Sequence, residues 1–145
     1  MPRGEYANTE RLAVEIVRDA ELARGWTPGP LLGQHDQHEE GCDLLSAPPN
    51  GGPPHRIEVK GWGEPLLADN GVFTYPADVN REQFERAKSD PNWRLEIVGN
   101  LAAVRAGTGQ PERLTLTPDE VVKRAECWRY RIPLDGLAEH VLKDT

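Results

Sequence analysis

The chain has 145 residues, of which 28% are charged and 37% hydrophobic, and this balance indicates a single globular domain rather than a disordered chain. Its net charge of −7 argues against a uniformly basic DNA-binding surface, because phosphate neutralisation drives duplex binding. Two cysteines are too few for a disulfide framework, and neither a signal peptide nor a membrane-spanning apolar run is visible, so we expect a cytoplasmic protein with no membrane partner.

The first predicted elements are a flexible arm over residues 1–8 and a helix. Thr9 is expected to cap this helix, which ends before Gly25. Apolar residues at helical spacing are expected to lay one helix face on a sheet. They are Leu12, Ile16, Ala20 and Ala23. Residues 26–30 read as a turn, and a short edge strand is expected at Leu31 and Leu32.

A β-hairpin is predicted next. Two short apolar strands flank residues 48–54, whose prolines and glycines favour a turn. Because side chains alternate along a strand, Glu58 and Lys60 share one face, and the hairpin brings Asp43 beside them. Two close carboxylates favour a hard divalent cation, and Mg²⁺ typically uses one or two protein carboxylates plus waters. The sequence therefore predicts a magnesium site with a neighbouring lysine.

A helix between further strands completes the predicted core. A third strand is expected over residues 71–75, a helix from Asp78 or Asn80 to about Lys88, and a strong strand over residues 93–98. The Gly99-Asn100 pair is a hairpin signal, so residues 101–105 are expected to form a strand paired with the preceding one.

The C-terminal part, residues 106–145, is predicted to be an extension packed on a core formed by residues 9–105. It is expected to contain an extended segment over residues 114–116, a helix capped by Thr117, a strand over residues 128–133 and a short terminal helix over residues 134–143. The capped helix is expected to end near Cys127.

The hairpin and the elements around it resemble a known family. Asp43 followed by Glu58-x-Lys60 resembles the PD-(D/E)xK nuclease superfamily. Segments 41–46, 56–61, 80–87 and 93–98 resemble its NO VEIN C-terminal-like domain, a domain of largely unknown function, and the resemblance covers residues 9–100. Cys42 stands where the superfamily name has proline. The resemblance implies an α/β fold with a mixed central sheet flanked by helices, in the order α-β-β-β-α-β.

The resemblance implies a divalent-metal-dependent endonuclease that hydrolyses nucleic-acid phosphodiester bonds, with DNA favoured over RNA. Its cofactor would be Mg²⁺, for which Mn²⁺ substitutes. Asp43, Glu58 and the Val59 carbonyl would bind the ion, and Lys60 would position or activate the attacking water. A role in restriction or phage defence is expected from the proteins to which the resembled domain is fused.

Side chains from two helices are further candidates. In many nucleases of the superfamily a glutamate of the first helix completes the metal site, and Glu15 is the preferred candidate here, followed by Glu10. Surface positions remain the alternative for both. On the second helix, Gln83 would orient a phosphate or the attacking water, or lie on the surface, whereas Asn80 is favoured as a helix cap.

Other functional classes stay open beside the nuclease. The same fold could bind or scaffold nucleic acid without cutting it, or Asp43, Glu58 and Lys60 could form only an internal ion-pair cluster of a protein-interaction domain. A homodimer, or a partner protein that supplies DNA affinity, would compensate for the acidic net charge. Basic residues nevertheless gather in the middle of the chain. They are Arg56, Lys60, Arg81, Arg86, Lys88 and Arg94.

Two further chemistries are disfavoured. His35, His38 and Cys42 form a loose zinc pattern without a fourth ligand, so a polar loop is the favoured interpretation of this segment. Cys42 and Ser46 have no base at a recognisable spacing, which disfavours a covalent nucleophile.

Overall fold

The computed structural model describes residues 3–29, 42–125 and 131–143. Its helices are α1 (Arg3–Ala23), α2 (Arg81–Ser89), α3 (Leu101–Ala106), α4 (Pro118–Arg124) and a 3₁₀ turn (Ala138–His140). Its strands are β1 (Thr27–Pro28), β2 (Leu44–Ala47), β3 (His55–Gly61), β4 (Ala77–Asp78), β5 (Trp93–Gly99), β6 (Glu112–Leu116), β7 (Arg131–Ile132) and β8 (Leu142–Lys143). None of these helices is both long and apolar enough to cross a membrane.

One mixed sheet organises the described part of the chain, with strand order β1-β2-β3-β5-β6-β8. Strands β2 and β3 form the predicted antiparallel hairpin, and β3 runs parallel to β5 at the centre of the sheet. Helix α2 lies in the connection between these parallel strands, as a parallel pair requires a crossover. Strands β4 and β7 form a separate pair. The α/β class with a mixed central sheet is therefore confirmed.

Apolar side chains fill both faces of the sheet. Helix α1 covers one face, where it packs on residues of β2, β3 and β5. This core comprises Ala13, Val17, Leu44, Ile57, Val59, Val98 and Leu101. On the opposite face, Ala87 of α2 and Val121 of α4 pack against the buried β5 residues Trp93, Leu95 and Ile97. Because β3 directs Ile57 and Val59 toward α1, its alternate residues Glu58 and Lys60 face the opposite side of the sheet.

A close approach of α1 to the end of β3 fixes the position of the helix. A Cβ atom added at Gly61 would lie 3.1 Å from the Cβ of Ala13, from Cδ1 of Leu101 and from the carbonyl oxygen of Thr9. Only a residue without a side chain fits such a contact without displacing its neighbours. The N-terminal half of α1 is thereby held beside the last residues of β3.

Helix α1 differs from its prediction in two respects. It begins at Arg3, so residues 3–8 of the expected flexible arm are helical. Its most buried face carries Thr9, Ala13, Val17 and Glu21, one position along from the apolar set expected to pack on the sheet. The small Ala13 permits the contact with Gly61, while Glu21 is buried because its carboxylate is paired.

Helix α2 and the central strands agree with the sequence pattern. Asn80 caps α2, and its Oδ1 accepts a hydrogen bond from the Gln83 backbone N–H at 2.8 Å. Strand β5 covers the predicted residues 93–98 and extends by one residue. Strand β6 contains the extended segment expected over residues 114–116. The helix capped by Thr117 is α4.

Four local predictions are wrong. Residues 71–75 form no strand, and only an isolated bridge joins Leu67 to Phe73. Residues 101–105 form helix α3 instead of a strand, because Asn100 adopts a left-handed conformation (φ 65°) and the N–H groups of residues 100–102 donate to carbonyls of residues 62–64. Residues 134–143 contain a 3₁₀ turn and β8 instead of a helix, and the turn expected at residues 26–30 contains β1.

Two C-terminal predictions hold only in part. Helix α4 ends at Arg124, before the expected Cys127. Of the strand expected over residues 128–133, the described part contains β7, residues 131–132. The edge strand predicted at Leu31 and Leu32 lies outside the described residues.

Candidate metal-binding site on the central hairpin

Asp43 is fixed against β3 by its backbone and its side chain. Its N–H donates to the carbonyl of Ile57 at 3.0 Å, which extends the hairpin by one residue beyond β2. Its Oδ2 accepts a hydrogen bond from the Val59 N–H at 2.8 Å. The carboxylate therefore lies alongside β3 in a defined orientation.

Glu58 lies beside Asp43 on the face of the sheet opposite α1. Only 9% of its surface is exposed. Burial is the main cause that raises the pKa of Glu58 to about 8, followed by the charge of Asp43, and a hydrogen bond between the two carboxyl groups acts in the same direction. The Lys60 ammonium, with Nζ 3.7 Å from Oε1 of Glu58, lowers this pKa but does not cancel the effect. The structure thus brings together three of the predicted site residues.

The chemistry of this cluster is set by two carboxyl groups that lie close together and need a proton or a cation between them. Burial and the neighbouring charge of Asp43 favour the protonated form of Glu58, because two carboxylates at close range repel. A divalent cation would replace that proton. The donor set fits Mg²⁺, which commonly takes one or two protein carboxylates and completes its coordination with waters. The Val59 carbonyl, predicted as a further ligand, lies on the same strand between Glu58 and Lys60, and its role stays a prediction.

The two glutamate candidates of the first helix, Glu10 and Glu15, lie on different sides of α1. The charge of Glu10 is among the causes that raise the pKa of Glu58. Glu10 lies on the side of α1 that carries Ala13 and Val17, whereas Glu15 is exposed and lies on the opposite side. Within the described ranges, no group of three or more His, Cys, Asp or Glu side chains is arranged to hold a metal ion. A third carboxylate, imidazole or thiolate ligand is therefore not preformed there.

Gln83 makes contacts of a different kind. Its Oε1 accepts a hydrogen bond from the Asn80 N–H at 3.0 Å and so completes a capping box at the start of α2. The predicted cap at Asn80 is confirmed. The side chain of Gln83 is thereby engaged in helix stability, and its proposed contact with phosphate or water stays a prediction.

The thiol and hydroxyl candidates occupy unreactive surroundings. Cys42 is a free, buried cysteine, and burial, followed by the charges of Asp43 and Glu58, raises the pKa of its thiol to about 11. The thiolate is the form that binds zinc or attacks a substrate, so Cys42 suits neither role. Ser46 is fully buried and donates its hydroxyl proton to Glu21. His35 and His38 lie outside the described residues.

A second group of polar residues lies on the α1 face, and the sequence did not predict a site there. Arg94 and Glu96 alternate with apolar residues in β5, and both point toward the C-terminal half of α1, where they line a cleft with His55 and Arg24. The signal was the presence of two charged residues inside the most hydrophobic strand of the chain.

The comparisons with known proteins found no similar protein. The chain matches no family model, no curated protein and no solved structure. The resemblance to the NO VEIN C-terminal-like domain accordingly stays a prediction based on the motifs of the hairpin and its neighbours.

Proposed function

We propose that this chain is a divalent-metal-dependent nuclease domain of the PD-(D/E)xK type, related to the NO VEIN C-terminal-like domain, that hydrolyses phosphodiester bonds in DNA. The observation that supports this function is the buried pair of Asp43 and Glu58 beside Lys60, in which the pKa of Glu58 rises to about 8. Such a pair has a high proton affinity, and a divalent cation can neutralise it in place of the proton. A cytoplasmic location fits this activity.

Each residue of the cluster has a distinct role in the proposed reaction. Asp43 and Glu58 would hold Mg²⁺ with the Val59 carbonyl, and Mn²⁺ would substitute. When bound, the metal supplies a Lewis acid that stabilises charge on the scissile phosphate. Lys60, whose ammonium lies 3.7 Å from Glu58, orients the attacking water and stabilises negative charge on a phosphate oxygen. The Asp43 carboxylate is oriented for this purpose by the Val59 N–H.

Cleavage of plasmid and single-stranded DNA tests the proposal. The wild type is expected to cut in Mg²⁺ or Mn²⁺ and not in EDTA, and Lys60→Ala and Asp43→Ala are expected to lose the activity. Lys88→Ala is the matched control for Lys60→Ala, because Lys88 is an exposed lysine on α2 whose removal changes the net charge equally. Metal-dependent cutting that survives in both hairpin variants would refute the site. No cutting by the wild type, alone or with a partner protein, would refute the activity.

A module that binds nucleic acid without cutting it is the second candidate. It is favoured by one observation: the Lys60–Glu58 ion pair and the shared carboxyl proton already satisfy the cluster without a metal. Calorimetry with Mg²⁺ separates the candidates, since a silent module would bind DNA but no metal at Asp43 and Glu58. The acidic net charge of −7 predicts that either form relies on a homodimer or a partner protein for tight DNA binding.

A further inference from the structure

A cleft of about 270 Å³ lies between the C-terminal half of α1 and the starts of β3 and β5. Its polar lining includes His55, Arg94 and Arg24. It opens on the α1 face of the sheet, whereas Glu58 and Lys60 face the other side. His55 and Lys60 are five residues apart on β3, a separation of about 16 Å along a strand. The cleft is therefore distinct from the carboxylate pair.

The acidic residues of the cleft are already neutralised. Glu21 accepts hydrogen bonds from Nε and Nη2 of Arg24, both at 2.9 Å or less, and from the Ser46 hydroxyl at 2.9 Å. Glu96 accepts from Nη1 of Arg113 at 3.1 Å and from the Thr115 hydroxyl. Each buried carboxylate is thus held by one arginine and one hydroxyl. These ion pairs orient the arginines and leave little uncompensated negative charge that would repel an anionic ligand.

Arg94 brings a further positive charge to the cleft. Its Nη1 donates at 2.8 Å to the carbonyls of Pro91 and Trp93, which are neutral acceptors. The acid that stabilises its charge is Asp90, which also forms an ion pair with Arg56 at 3.7 Å between Nη1 and Oδ2. Burial and the neighbouring Arg24 lower the pKa of Arg94. Two guanidinium groups therefore face the same cleft at a distance where they repel.

His55 adds an imidazole N–H donor beside the two guanidinium groups of the cleft. Burial, followed by the charges of Arg94 and Arg24, lowers the pKa of its imidazole. Its ring contacts that of Trp26, with centroids 4.5 Å apart, and the Arg24 guanidinium carbon lies 3.9 Å from the centroid of Trp26. The indole ring therefore holds the imidazole and one guanidinium in place before any ligand arrives, which reduces the entropy that binding would cost.

We propose that this cleft binds a single phosphate group through Arg24, His55 and Arg94. Guanidinium groups are the preferred partners of phosphate oxygens, because their N–H donors match the geometry of the anion. The volume of about 270 Å³ lies just below the roughly 300 Å³ at which pockets for drug-sized ligands begin, and thus suits a small anion. The phosphate could be carried by a small phosphorylated molecule or by the end of a nucleic-acid strand. Its binding does not depend on the proposed nuclease activity.

Calorimetry on the full chain in EDTA tests the site, with inorganic phosphate as the first probe. We expect saturable binding with a Kd of about 1 mM or lower, the range of a weak single-anion site. Arg94→Gln is expected to weaken binding at least about tenfold, and Arg94→Lys to weaken it less because the charge is kept. Arg105→Gln, an exposed residue on α3, removes the same charge elsewhere and is expected to bind as the wild type does.

A second readout protects the test against misfolding of a variant. In nuclear magnetic resonance titrations of the wild type, phosphate is expected to raise the pKa of His55, because an anion stabilises the imidazolium. Adenosine monophosphate and a 5′-phosphorylated oligonucleotide, each compared with its unphosphorylated form, distinguish the two carriers. Absence of saturable phosphate binding, or equal affinity in wild type and Arg94→Gln, would overturn the proposal. DNA cleavage is not part of either readout, so failure of the nuclease function would leave the result intact.

Discussion

Replacement of Glu58 by glutamine is expected to stabilise the metal-free protein, and increasingly so as the pH rises. The ordinary pKa of 4.5 applies in the unfolded chain, while in the folded protein the pKa is about 8. Between these values the folded protein holds a proton that the unfolded chain has released. With respect to Glu58, the fold is therefore most stable below about pH 4.5, where the carboxyl group is protonated in both states. This stability is lost as the pH rises through about 8.

The magnitude follows from the difference between the two pKa values. Each pKa unit corresponds to about 1.4 kcal/mol, so near pH 7 the unfavourable contribution of Glu58 is of the order of 3 kcal/mol. Glutamine keeps the shape of the side chain and removes the ionisation. Glutamine does not reproduce every contact of the carboxyl group, and we expect a net stabilisation of about 1–3 kcal/mol near pH 7.

Urea denaturation in EDTA at several pH values between about 5 and 8 measures this effect. In EDTA, the stability difference between Glu58→Gln and wild type should grow across this range. In a separate titration with Mg²⁺ and no EDTA, only the wild type should become more stable. Glu64→Gln makes the same chemical change at an exposed position and is the control. A difference that does not vary with pH would refute the burial argument for Glu58. Equal stabilisation of both proteins by Mg²⁺ would refute its role as a metal ligand.

Two further substitutions test the packing and the helix cap. Gly99→Ala is expected to lower the free energy of unfolding by about 1–3 kcal/mol, because a Cβ there would lie 2.6 Å from Cδ2 of Leu66. Gly63→Ala, where no atom lies within 4 Å of an added Cβ, is its control in the same urea titration. Gln83→Ala is expected to lose about 1 kcal/mol with the capping box, while Gln83→Glu retains it. Loss of DNA cleavage in Gln83→Glu at unchanged stability would contradict a purely capping role.

The central part of the fold was predictable because local and long-range signals agree there. The Pro/Gly-rich turn at residues 48–54 and the alternation around Glu58 both indicate a hairpin, and the structure contains it. Likewise, Asn80 was predictable as the cap of α2, because asparagine is a favoured capping residue and the N–H that it accepts from lies only three residues along the chain. The grouping of Asp43 with Glu58 and Lys60 follows from the hairpin register alone.

The errors arise where distant residues decide the local conformation. Gly99-Asn100 is a hairpin signal by itself, but the loop at residues 62–64 accepts hydrogen bonds from residues 100–102 and converts the expected strand into α3. Similarly, local sequence alone does not show whether Glu10 or Glu15 lies on the sheet-facing side of α1. The side of α1 that faces the sheet depends instead on the contact of Ala13 with Gly61, which no local pattern reveals.

The two outer strands of the main sheet limit how this protein can associate. Strand β1 has two residues, one of them Pro28, and β8 has two exposed residues, one of them Lys143. Proline offers no N–H to a neighbouring strand, and lysine at an edge resists an incoming one. Continuous pairing of sheets between copies is therefore disfavoured at either edge. A homodimer would have to meet through helices or loops, and the hairpin stays protected from the strand-to-strand aggregation that long bare edges invite.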